Sequence, residues 1–99
     1  MTITKNVNGK TIGIALEGRL DTTTAPELES VLKESLGAAQ ELVFDFGKLE
    51  YLSSAGLRVL LAAQKLMNKQ GKMVVRRVNS VIMDVFEVTG FTDILTIEE

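Results

Sequence analysis

The chain has 99 residues, 45% of them hydrophobic, with one proline and a formal charge of −2, which describes one ordered globular core rather than two domains or a tail. It contains no cysteine and no histidine, so disulfides and thiolate chemistry are excluded, and the commonest general base and usual transition-metal ligand are missing. Acids and bases are interspersed without a basic stripe, which argues against direct nucleic-acid binding; no apolar run is long enough to span a bilayer, and the expected address is the cytoplasm.

Residues 2–7 and 10–17 flank Asn8-Gly9, a pair suited to the positive φ angles of a type I′ turn, and predict a β-hairpin. In the second strand Ile12, Ile14 and Leu16 share one face, while Thr11, Gly13 and Ala15 form a small-residue face open to close approach by a helix. This strand is therefore expected to be covered on both sides. Gly18-Arg19-Leu20-Asp21 leads to a helix starting near Thr24, where Thr24 and Glu27 have capping-box spacing and Pro26 is tolerated in the first turn. Leu28, Val31, Leu32 and Leu36 make its single apolar stripe, and Gly37 is a natural stop.

Residues 42–46 are apolar on both faces apart from Asp45, the pattern of a central strand between layers. After Tyr51-Leu52-Ser53-Ser54-Ala55-Gly56-Leu57 a second helix runs to about Gly71, its charges kept to the line Arg58, Lys65 and Lys69. So apolar a helix is expected to be deeply buried rather than to offer a partner groove. Residues 73–78 read as a strand, Asn79 as the cap of a short helix ended by Gly90, and residues 94–97 as a last strand. The order β-β-α-β-α-β-α-β implies one α/β domain over residues 1–99: an N-terminal hairpin, then alternating helices and strands forming a mixed sheet with packed helices.

Three chemistry-bearing groups fall near carboxyl ends of strands, where open α/β sheets meet ligands and partners. These are Asp21, Asp45 and the Ser53-Ser54 pair. A serine at a helix N-terminus can cap the free amides, and the macrodipole there also favours a phosphate. Asp21 has an equally good local reading in an Asx turn, and Asp45 in accepting amides around Gly47 and Lys48. A serine nucleophile would need a base, and the chain offers neither Gly-x-Ser-x-Gly nor Ser-x-x-Lys nor a phosphate-binding Gly-x-x-x-x-Gly-Lys. Enzymatic readings are therefore set aside, and no cofactor or metal is expected.

Phe44-Asp45-Phe46 followed by Leu49-x-Tyr51-Leu52-Ser53-Ser54-Ala55-Gly56-Leu57 resembles the signature of the anti-sigma factor antagonists, the bacterial STAS domains. Gly18-Arg19-Leu20-Asp21, Asn79 and Val88-Thr89-Gly90-Phe91 support the likeness, which covers nearly the whole chain. The resemblance implies a non-enzymatic phosphoprotein of transcription regulation, working by partner switching. An anti-sigma factor with serine kinase activity would bind it and phosphorylate it at the start of the second helix. Alignment on Gly56 places the phosphoacceptor at Ser54, with Ser53 as the alternative, and sets Asp21, Asp45, Ser53, Ala55, Gly56 and Arg58 around the switch. The family's acidic residue before the phosphoacceptor is replaced here by Ser53. That departure keeps open a second reading, a non-switching STAS adaptor subunit in a larger assembly such as a lipid-transport complex.

Overall fold

Gly9 and Lys10 turn the chain between the first two strands, one residue later than the expected Asn8-Gly9 pair: Asn8 still pairs with Thr11, and Lys10 does not take the positive φ of a type I′ turn. In the computed structural model, which describes residues 1–98, β1 (Thr2–Asn8) pairs antiparallel with β2 (Thr11–Leu20), and Gly9 takes the left-handed φ of +64° that the turn requires. The remaining elements are α1 (Ala25–Ser35), β3 (Glu41–Leu52), α2 (Ser54–Gln70), β4 (Lys72–Arg76), α3 (Ser80–Thr89), a 3₁₀ turn (Phe91–Asp93) and β5 (Ile97–Glu98). The sheet order is β1-β2-β3-β4-β5, with every pair after the hairpin parallel. The mixed α/β architecture is the expected one.

The three helices share one face of the sheet. Ile12, Ile14 and Leu16 of β2, Leu42, Phe44 and Phe46 of β3, and Met73 and Val75 of β4 form a single core with Leu28 and Leu32 of α1, Leu60 and Met67 of α2, and Ile82 and Phe86 of α3. Burial of each such large side chain contributes about 1.5–3 kcal/mol. The expectation that β2 and β3 are covered on both sides is corrected: Thr11, Gly13, Ala15, Val43 and Asp45 line an open face and keep partial exposure. Charged side chains pair across that face, Lys72 with Glu41 at 3.2 Å and Arg76 with Glu98 at 2.9 Å, so it needs no apolar cover.

β3 also runs well beyond the expected end at Phe46. Its register against β2 jumps from Ala15↔Asp45 to Glu17↔Lys48, and from Gly18↔Leu49 to Arg19↔Tyr51. Each jump inserts one extra β3 residue, a β-bulge, and shifts the inward positions from Phe46 to Leu49 and then to Leu52. A strict alternation of two loses the strand at these points. β4 stops earlier than expected because Arg77 adopts a left-handed φ of 59°. The last strand is Ile97–Glu98, since the 3₁₀ turn uses the preceding residues to bury Leu95.

Candidate functional site at the start of the second helix

β2 and β3 end side by side, with Leu20 opposite Leu52, and the amide of Ser53 donates to the Leu20 carbonyl at 2.9 Å. The residues that follow, Asp21 on one strand and Ser53-Ser54 on the other, are thereby brought to the same edge. Ser53 is extended (φ −95°, ψ 174°) and caps α2, its Oγ accepting from the Gly56 amide at 3.4 Å. Ser54, the first helical residue, is exposed. The capping role open to either serine therefore belongs to Ser53, leaving the Ser54 hydroxyl turned to solvent beside the unpaired amides of the first turn.

Gly56 sets how closely this turn approaches the sheet. A Cβ there would lie 2.7 Å from both Leu20 Cγ and Leu52 Cδ1. Ala55 is partly buried and Arg58 exposed. The expected deep burial of α2 is corrected: the helix buries one face, with Leu57, Val59, Leu60, Ala63 and Met67, while Ala62 and Leu66 are exposed, Leu66 keeping 41% of its surface in water.

Asp21 orders the neighbouring loop. Its Oδ1 accepts from the Thr23 hydroxyl at 2.7 Å and from the amides of Thr23 and Thr24 at 3.0 and 3.1 Å, an Asx turn. The Thr23 hydroxyl bond, aided by the two amides and the Thr24 hydroxyl, holds the Asp21 carboxyl below its ordinary pKa of 3.8 against a smaller opposing effect of desolvation. Asp21 is thus an anion at neutral pH. The expected capping box does not form: the Thr24 hydroxyl donates to the Arg19 carbonyl at 2.8 Å and accepts from the Asp21 amide at 2.8 Å, so it is not free to cap α1.

Arg19 and Tyr51 complete the edge, and the motif reading did not single them out as a pair. The Arg19 guanidinium lies 4.1 Å from the centre of the Tyr51 ring, with its Nε 3.8 Å from Asp21 Oδ2. Only the register shift that sets Arg19 opposite Tyr51 makes this contact, and no local pattern encodes it.

Asp45 lies elsewhere. It points to the open face of the sheet, accepts the Gly47 amide at 2.9 Å and pairs with Arg77 at 3.2 Å, beside a shallow cavity of about 230 Å³ lined by Thr2, Thr4, Glu17 and Lys48. Seven strand residues (46–52) separate it from Ser53, about 25 Å along the chain. That exceeds the screening length of roughly 8–10 Å, so Asp45 is removed from the electrostatic setting of the serines. Among the described residues no group of three or more carboxylates converges as a metal site, and no helix is long and apolar enough to cross a membrane.

An α/β domain whose one prominent edge offers an exposed serine, a capping serine and an ordered aspartate has the form of a small regulatory binding module. The chain belongs to the STAS domain family: residues 3–96 match the family described as "Mlab, STAS domain". It is 37% identical over 84 residues to BtrV of Bordetella bronchiseptica, which carries the name of an anti-sigma factor antagonist, covering 83% of this chain and 72% of that one. It is 27% identical over 101 residues to the anti-sigma-B factor antagonist of Staphylococcus aureus, spanning 100% of this chain and 94% of the relative. Among solved structures, the phosphorylated form of the Bacillus cell fate determinant SpoIIAA shares the fold with a TM-score of 0.77 at 18% identity, over 99% of this chain and 92% of that one.

Proposed function

We propose that this chain is a cytoplasmic anti-sigma factor antagonist without catalytic activity of its own, that an anti-sigma factor with serine kinase activity is its partner, and that Ser54 is the phosphoacceptor. The observation that carries the reading is the division of labour between the serines: Ser53 caps the helix and Ser54 stands exposed at its first position. The names of the curated relatives support the partner class.

In the unmodified state the neutral serine edge docks on the partner, which then releases the sigma factor. Transfer of the γ-phosphoryl group of ATP forms the Ser54 Oγ–P bond as the bond to ADP breaks, and the hydroxyl proton passes to a base of the kinase. The product adds about −1.5 to −2 charges at neutral pH. The start of α2 favours that charge by about 0.3–1 kcal/mol while the Asp21 anion opposes it, so the fold persists. At the interface the phosphate must be desolvated or set against partner carboxylates, at a cost of several kcal/mol. A loss of about 2.7 kcal/mol corresponds to a hundredfold weaker complex.

Calorimetric titration of an anti-sigma factor kinase from the same genome tests this. Unmodified protein and Ser54→Ala should bind, and Ser54→Asp should bind at least about tenfold more weakly, since it carries roughly half to two-thirds of the phosphate's charge; equal affinity of Ser54→Asp and wild type refutes the charge gate. Peptide mass spectrometry of protein from its own cells locates the modification. Phosphate on Ser53 moves the site by one residue. Its absence under all growth conditions favours the constitutive adaptor, the reading that the Ser53 replacement supports.

A further inference from the structure

The chain has four arginines. Three are engaged: Arg19 with Asp21 and the Tyr51 ring, Arg76 with Glu98, and Arg77 with Asp45. Arg58 is exposed and makes no ion pair or side-chain hydrogen bond among the described residues. Glu29, which lines the same cavity of about 220 Å³ between α1 and α2, is turned instead to Lys33 at 3.5 Å. Arg58 stands four residues after Ser54 on one continuous helix. Helical Cα–Cβ bonds tilt toward the N-terminus, so a long side chain at the fourth position covers the turn before it and meets its i,i+4 neighbour.

We propose that Arg58 is the receptor for the phosphate on Ser54, closing on it within the same helix. The inference rests on the reading of Ser54 as phosphoacceptor and adds a second half to the switch. Phosphorylation places an anion at the edge and at the same time withdraws the one unpaired arginine from the surface offered to the partner. A planar guanidinium can hold two phosphate oxygens at once, a geometry that a lysine at this position does not reproduce.

The test installs phosphoserine at position 54 during translation, without a kinase, and follows the phosphate by ³¹P NMR as a function of pH in wild type, Arg58→Gln, Arg58→Lys and Arg19→Gln. The second ionisation of a free phosphoserine lies near pH ~6. In wild type its midpoint is expected roughly 0.15–0.4 pH unit below that of Arg58→Gln, with Arg58→Lys between them and Arg19→Gln close to wild type. Equal midpoints in wild type and Arg58→Gln overturn the proposal, as does a shift that follows Arg19 instead. Because the phosphate is installed directly, this result is independent of whether cells modify Ser54, which the mass spectrometry above decides separately.

Discussion

Substituting Gly56 by alanine separates local helix preference from tertiary fit. In an isolated helix the change is favourable by about 1 kcal/mol. Here the new methyl would sit 2.7 Å from Leu20 Cγ and Leu52 Cδ1 and 3.0 Å from Leu20 Cδ2, where ordinary carbon contacts need about 3.5–4 Å. The closest approach is thus short by about 1 Å. Neither leucine can yield easily: Leu20 Cγ is a branch point rather than a free end, the two residues are 0% and 4% exposed, and their backbones are paired in the sheet. Overpacking of this kind costs about 1–3 kcal/mol, so after the propensity gain the net destabilisation should be about 0–2 kcal/mol, with a central value of ~1 kcal/mol. With a urea dependence of about 1–1.5 kcal/mol/M for a domain of this size, the unfolding midpoint should fall by about 1 M. The first turn of α2 should also lift from the sheet, changing the amide shifts of Ser53 and Ser54 in an NMR spectrum. A raised midpoint would mean that the contact is not tight and that Gly56 does not set the height of the serine edge.

The two serines should separate in the same assay. Ser53→Ala removes the α2 cap and should cost about 0.5–1 kcal/mol, the lower part of the usual range because its bond to Gly56 is long at 3.4 Å, whereas Ser54→Ala should stay within about 0.5 kcal/mol of wild type; a reversed order would exchange their roles. For Asp21 the folded pKa lies below the ordinary 3.8, so its ionised form contributes stability above the unfolded-state value and loses it as pH falls through the folded one. The melting temperatures of wild type and Asp21→Asn should therefore differ by a constant amount from neutral pH to about pH 5 and converge at lower pH. A gap that stays constant to pH 2 would show that the Asp21 charge has no linked role.

Local chemistry was enough for much of this protein. Asn8-Gly9 located the hairpin to within one residue, Asn79 and Gly90 bracket α3 as cap and left-handed stop, and the spacing of Leu28, Leu32 and Leu36 describes one buried helix face, because each of these choices is made within a few residues of chain. The serine pair at a strand-to-helix junction was legible for the same reason. Which serine caps was not, since that depends on where β3 ends against Leu20. Two bulges decide that end, and a bulge is an agreement between two strands that neither strand's sequence states alone. Tertiary structure also decided that the small residues of β2 meet solvent rather than a helix, and that Asp45 faces the opposite side of the sheet from the serines. A strand's alternation says which residues share a face, but only the packing of all three helices on the side of Phe44 and Phe46 determines which face becomes the core.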